Sequence, residues 1–258
     1  MIKIDEDIMD DLRGKVALVT GSAKGLGKGI ALILAQKGAD IILNDLTFSA
    51  EVEEQVENIQ KIGRSCYFIK ANVTIESEVR EMFELIYEKS GRLDILVNNA
   101  GTDRPQDIFS TSLEDWNFIM QTNVTSCFLC AKYAMELMKK NEDSRIVNVS
   151  SVSAHQGALK GHVHYASSKS AMLGLTKTLA RTGAEFGIRV NAIAPGVIET
   201  ELSKATHGEA GMKKLSASIP LGLGTVTDVG LAVAFLCGAG SRYITGITLD
   251  VNGGIYFR

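Results

Sequence analysis

Short apolar, β-branched runs alternate along the chain with longer stretches in which apolar residues return every three or four positions. The runs KVALVT (15–20), ADIILND (39–45), CYFIKA (66–71), LDILVNN (93–99), SRIVNVSS (144–151), IRVNAIAPG (188–196) and GITLDVNGG (246–254) predict strands. Between them, residues 27–38, 49–63, 76–91, 113–141 and 165–187 carry the helical period, and Gly38, Gly63, Gly91 and Gly187 close four of these helices as C′ glycines. Strands that are apolar throughout and separated by crossover helices imply a doubly wound α/β fold, a parallel sheet covered on both faces. No internal repeat, low-complexity tract or Pro-rich linker interrupts the pattern, and the 258 residues hold only three prolines. The expectation is a single domain over residues 14–258, preceded by an extension at 1–13.

The first strand runs into TGSAKGLGKGI, which places Gly21, Gly25 and Gly27 just ahead of a helix. A glycine turn alone is weak evidence, because glycine marks ordinary tight turns. After a buried strand, however, missing Cβ atoms let backbone N–H groups and the positive helix end approach a pyrophosphate. Asp45 ends the second strand eighteen residues past Gly27, about where a carboxylate accepts hydrogen bonds from an adenosine ribose. Farther along, Tyr165 stands four positions before Lys169, so both share one helix face, just downstream of the serine pair in VNVSS. In most proteins that spacing is a solvated ion-pair geometry, and in a few it is an acid/base device.

Composition narrows the field. With 45% hydrophobic and 22% charged residues and a net charge of −3, the chain is an ordinary globular protein with no electrostatic reason to bind nucleic acid. The opening MIKIDEDIMDDLRGK is acidic where a secretory leader is basic then apolar, and no apolar run reaches the ~18 residues of a membrane span, so the expected location is the cytoplasm. Cys66, Cys127, Cys130 and Cys237 do not form a disulfide framework, and CFLC lies inside a helical pattern, where it reads as small buried side chains. His162 and His164 in HVH lack a third ligand, so no metal site is expected.

Taken together, TGSAKGLG, NNAG, NVSS, YASSK and NAIAPG, in this order, resemble the short-chain dehydrogenase/reductase family from about Gly14 onward. The resemblance implies a Rossmann-type domain with a seven-stranded parallel sheet, an NAD(P) cofactor and hydride transfer at a carbonyl or alcohol carbon. It places catalysis at Asn123, Ser151, Tyr165 and Lys169. Tyr165 would exchange the hydroxyl proton, with Lys169 favouring tyrosinate by its charge and holding the nicotinamide ribose. Ser151 would hydrogen-bond the substrate oxygen, and Asn123 would hold a water that relays protons. Cofactor contacts would come from Gly21, Ser22, Lys24, Gly25, Leu26, Gly27, Asp45, Leu46, Asn72, Val73, Asn99, Ala100 and Gly101, then Tyr165, Lys169, Pro195, Gly196, Ile198 and Thr200.

Two departures from the family pattern stand out. Ser151 and Tyr165 are one residue farther apart than is common, so AHQGALKGHVH carries an insertion and Ser153 is the fallback serine. The usual aspartate on the adenine side is Asn72, whose carbonyl oxygen could still meet the adenine amino group. Substrate contacts are expected from Ser151, Ser153, His155, Gln156 and His162, and from a lid over about 196–220. With His164, Arg104 and His207 these form a polar set that suits a polyol, sugar or sugar acid. NAD is favoured over NADP because Asp45 would repel a 2′-phosphate more than Lys24 could attract it. The rivals are an NADPH-dependent 3-oxoacyl-thioester reductase of the acyl-carrier-protein type, a hydroxysteroid dehydrogenase and a catalytically silent NAD-binding regulator. Family resemblance, with the apolar SAMLGLTKTLA and GITLDVNGGIYFR, leads us to expect a homotetramer or dimer.

Overall fold

A computed structural model of the protein describes residues 11–158 and 161–258, and of Leu202, Thr206 and His207 only the backbone. Residues 1–10, and with them most of the N-terminal extension, lie outside the described residues.

Seven strands, β1 (Val16–Thr20), β2 (Asp40–Asp45), β3 (Cys66–Lys70), β4 (Ile95–Asn98), β5 (Ser144–Val149), β6 (Ile188–Pro195) and β7 (Thr248–Val251), join one parallel sheet in the order β3-β2-β1-β4-β5-β6-β7. Every strand falls within a run predicted from the sequence. Because side chains alternate across a strand, each strand feeds two cores. Ala17, Val19, Ile41 and Leu43 point to one face, under α1 (Gly25–Gln36) and α2 (Ala50–Lys61). Leu18 and Ile42 point to the other, under α3 (Glu76–Ser90). Each such fully buried Leu or Ile contributes roughly 2 kcal/mol.

The predicted helix at 113–141 is α4 (Leu113–Met120) and α5 (Ser126–Met138), joined without a break by a π turn at Gln121–Thr125 that contains Asn123. Single π turns often mark functional sites. A short α6 (Ser153–Gln156) precedes α7 (Val163–Ala184), which carries Tyr165 and Lys169 on its first turns. The segment expected to form the lid holds α8 (Glu201–Ser218), broken at Gly208 (φ 62°, ψ 172°).

Helix α9 (Val226–Cys237) was not anticipated. It is apolar on nearly every face, so no amphipathic period betrays it. It packs on α1, with Gly29 leaving room for Val226 and Gly230 for Ile33. A usable signal did exist, since Thr225 and Asp228 form a reciprocal capping box at its start. Gly38, Gly63 and Gly91 take positive φ at or just past helix ends as expected, while Gly187 does so three residues beyond α7.

Candidate active site

In the sheet order, β1 is flanked by β2 on one side and β4 on the other, so the order in which strands are added reverses between β1 and β4, and open α/β sheets place their ligands at the carboxyl ends of such a pair. The Gly-rich loop and the Asn98–Gly101 motif meet there. Asn99 donates from Nδ2 to the carbonyls of Thr20 and Gly21, at 2.9 Å each, and the N–H of Ala100 donates to Thr20 Oγ1 at 3.0 Å. A Cβ on Gly27 would lie 2.2 Å from the Gly21 carbonyl oxygen and 2.4 Å from Asn99 Nδ2, and Gly21 itself sits at φ 63° against Ala100. Glycine is required at both positions.

The start of α1 differs from those of α4, α8 and α9, each of which is capped by a hydroxyl: Ser112, Thr200 and Thr225. At α1 the cap position is Lys24, with no side-chain cap and no acidic residue in the first turn. Uncapped N–H groups beside a glycine cradle suit a pyrophosphate, so Gly25, Leu26 and Gly27 fit a dinucleotide. Asp45 lies against the same loop, accepting from the N–H of Ala23 at 3.0 Å and of Leu46 at 2.8 Å.

Four expected contacts are committed elsewhere. Ser22 is fully buried and clips the loop to β2, with its Oγ accepting from the N–H of Asn44 at 3.0 Å, so its hydroxyl faces the strand. Asn72 Oδ1 accepts from the N–H and hydroxyl of Thr74 at 3.0 and 2.8 Å, which makes it a turn residue before it can be an adenine ligand. The Thr200 hydroxyl accepts from the N–H of Ser203 as the cap of α8. The Asn123 amide donates to Thr102 O and Ser168 Oγ at 3.0 and 2.9 Å and accepts from the N–H of Thr102 at 2.8 Å. Its side chain ties the π turn to the loop after β4 and leaves no N–H for a relay water.

Ser151 and Tyr165 do come together, the serine hydroxyl acting to lower the tyrosine's pKa. Ser153 donates to Ser151 Oγ from both its N–H (3.2 Å) and its hydroxyl (2.9 Å). Those bonds fill the acceptor side of Ser151 and turn its own O–H outward, so Ser153 supports the serine it might have replaced. Removing the Tyr165 hydroxyl from water pushes its pKa up to about 12, against the Ser151 hydroxyl and with help from the charge of Asp103. Lys169 is not among the groups that shift it. Lys169 Nζ lies 5.6 Å from the ring centroid and donates to the Val149 carbonyl at 2.9 Å, and burial pushes it down to about 8. Desolvation outweighs attraction for both groups.

The substrate-side residues scatter. His162 binds Asp103, with Nδ1 2.5 Å from Oδ2. His155 stacks on Tyr256, centroids 6.2 Å apart, and lies 3.4 Å from Asp250. Gln156 is exposed at the end of α6. His164 is buried between Gln106 and its own helix, and Arg104 pairs with Asp115 over Phe118. The side chain of His207 lies outside the described residues. Asp103 was passed over in the sequence, since an acid on a loop reads as solvated. Cys127 and Cys130 are buried free thiols in α5, with burial raising both.

A family model described as enoyl-(acyl carrier protein) reductase matches residues 21–256. The chain belongs to the short-chain dehydrogenase/reductase family. It is similar to the 3-oxoacyl-[acyl-carrier-protein] reductase FabG of Vibrio cholerae, 40% identical over 247 residues covering 95% of this chain and 99% of the relative. Among solved structures, a 7α-hydroxysteroid dehydrogenase complexed with NADH and 7-oxoglycochenodeoxycholic acid is 32% identical, covers 98% of both chains and superposes with a TM-score of 0.92. A putative gluconate dehydrogenase of Agrobacterium tumefaciens is 31% identical with a TM-score of 0.91, over 96% of this chain and 98% of that one. The chain is therefore an NAD(P)-linked oxidoreductase of this family. Among the described residues no helix is long and apolar enough to cross a membrane.

Proposed function

We propose that this protein reduces the ketone of a 3-oxoacyl thioester, with Tyr165 as the proton donor and residues 14–258 acting as one cofactor-binding and catalytic unit. The observation that carries the reading is that Ser151 and Tyr165 meet beside buried Lys169 in a chain matched over nearly its whole length by 3-oxoacyl-[acyl-carrier-protein] reductases. A tyrosine pushed up to about 12 is fully protonated at neutral pH, which is the state a general acid needs. Support for the thioester comes from relatives matched over nearly their whole length.

When bound, NAD(P)H supplies the hydride that adds to the carbonyl carbon. Ser151, with its acceptor side filled by Ser153, donates to the carbonyl oxygen and orients it. Tyr165 then passes its phenolic proton to that oxygen as negative charge builds there. Buried Lys169 is the nearest cation to the tyrosinate that remains. Lid closure over 196–220, hinged at Gly208, would exclude water from this step.

For the cofactor we infer NAD(H). The hydride is the same in both cofactors, so Asp45 decides the choice irrespective of substrate. A carboxylate and a 2′-phosphate ~4 Å apart repel by about 4 kcal/mol at an effective dielectric of ~20, whereas an exposed lysine such as Lys24 returns ~1 kcal/mol or less. A second reading, NAD-linked interconversion of a polyol or sugar acid, is favoured by the polar Asp103–His162 rim of the pocket. We also propose self-association to a tetramer or dimer, since Phe109, Leu113, Tyr243 and Phe257 stand exposed. Reduced, buried cysteines accord with action in the cytoplasm.

One experiment tests the proposal: steady-state reduction of acetoacetyl thioesters, keto sugar acids and oxosteroids with NADH and with NADPH. The expected outcome is the highest catalytic efficiency for the thioester with NADH. Efficiency higher for a keto sugar acid would replace it by the second reading.

A further inference from the structure

Outside the reacting groups, the substrate side holds one cluster that the chemistry above leaves unused. His162 is the only non-glycine residue at positive φ among the described residues (φ 58°, ψ 30°), a left-handed conformation that side-chain-bearing residues adopt only when their surroundings hold them there. It is held there by Asp103, whose Oδ2 meets its Nδ1 at 2.5 Å. The other carboxylate oxygen, Oδ1, is buried and has no hydrogen-bond partner.

The loop that carries Asp103 is pinned on every side. The N–H of Thr102 donates to Asn123, Arg104 pairs with Asp115, and Gln106 bridges Asp115 and His164. The position of Asp103 is set by Gly101, where a Cβ would lie 3.4 Å from Lys169 Nζ, and by His162, three residues before Tyr165. A buried carboxylate oxygen without a donor is costly, and natural proteins seldom keep one unless a ligand completes it.

We propose that Asp103, clamped by His162, determines substrate specificity: its Oδ1 accepts a hydrogen bond from an N–H or O–H that the substrate carries near the reacting carbonyl. The inference rests on Tyr165 as the reacting centre. An acceptor cannot discriminate in favour of a bare ketone, so the site selects ketones that bear a donor. The secondary amide of a pantetheine-like arm and the hydroxyl of a sugar acid share that chemistry.

The test measures reduction at saturating cofactor for three ketones. Acetoacetyl-N-acetylcysteamine offers an amide N–H, 5-ketogluconate offers hydroxyls, and ethyl acetoacetate offers no donor. In Asp103→Ala, KM for the donor-bearing substrate should rise at least ~10-fold with kcat within ~3-fold, because a charged hydrogen bond is lost from binding rather than chemistry. Ethyl acetoacetate should show no such KM rise, any change in kcat from losing the Asp103 charge near Tyr165 being common to all three ketones. Asp103→Asn, which keeps an acceptor, should recover most of the loss and serves if the alanine variant does not fold, its own KM then rising a few-fold for the donor-bearing ketone only. Activity of wild type on 5-ketogluconate but not the thioester, with the same selective KM rise, removes the proposed substrate and keeps this inference. Equal losses for donor-bearing and donor-free ketones, no loss in either variant, or a wild type that reduces only ethyl acetoacetate or none of the three, overturns it.

Discussion

The two halves of the pocket are built by opposite rules. On the cofactor side, polar groups are spent on the protein itself: Ser22 on Asn44, Asn99 on Thr20 and Gly21, and Asp45 on Ala23 and Leu46. On the substrate side, Asp103 Oδ1 is buried without a hydrogen-bond partner, α8 is broken at Gly208, and His162 is strained. A shared cofactor rewards a cradle finished in advance, whereas a variable substrate leaves unfilled valences to be completed on binding.

Substitutions that separate the halves should differ in kind. The largest effect is expected from Tyr165→Phe, which removes the transferable proton. Turnover should fall by ~10²–10⁴-fold while the Kd for NADH, measured by its fluorescence, stays within a few-fold. Activity near wild type would show that another group supplies the proton. Gly27→Ala should do the reverse and strike the cradle, because its Cβ would overlap the Gly21 carbonyl and Asn99. We expect a loss of about 1–3 kcal/mol in stability by denaturant titration, along with weakened NADH binding. Unchanged NADH affinity would mean that the loop does not form the cradle.

Asp45→Ala should leave the fold intact and relax cofactor choice, the ratio of kcat/KM for NADH over NADPH dropping at least ~10-fold. A wild type that already prefers NADPH would place Asp45 away from the ribose. Titration sharpens the substrate side. Since burial raises Tyr165 to about 12, its neutral form persists above the ordinary tyrosine range. The absorbance difference between wild type and Tyr165→Phe should show no tyrosinate at about pH 10, where a free tyrosine is half ionised. For stability the sign is the same: the folded pKa lies above the unfolded one, so the preference for neutral Tyr165 is fully present below about pH 10 and is lost as pH rises toward 12. The smallest effect should come from Thr225→Ala, whose hydroxyl bonds Asp228 within its own turn, costing about 1 kcal/mol at the start of α9 with kinetics unchanged.

What could be read in advance follows the same division. The strands, the Gly-rich turn and the Tyr165–Lys169 pair announce themselves through period and spacing, because a parallel sheet needs unbroken apolar runs and a cradle needs glycine. Side-chain commitments do not. Ser22, Asn72, Asn123 and Thr200 belong to residue types that bond equally well to a ligand or to a neighbouring backbone, and only the folded geometry shows that the backbone has taken them. The rise in Tyr165 was also hidden, since the four-residue step states its distance from a cation but not the loss of water. Helix α9 escaped because a helix apolar on nearly every face, exposed Leu231 included, has no polar face to mark its period.

The pairing at the centre of the sheet also has a kinetic side. Strand β1 joins β4 through Ala17–Ile95, Leu18–Leu96 and Val19–Val97, nearly eighty residues apart, while β2 adds to β1 and β3 to β2 through much shorter connections. Closing that long loop is slow compared with forming the local units on either side. The Gly-rich turn therefore exists in the growing chain well before its floor, which is completed only when Asn99 reaches Thr20 and Gly21. Recovery of NADH affinity during refolding would accordingly time the meeting of the two halves of the sheet, later than the appearance of helix.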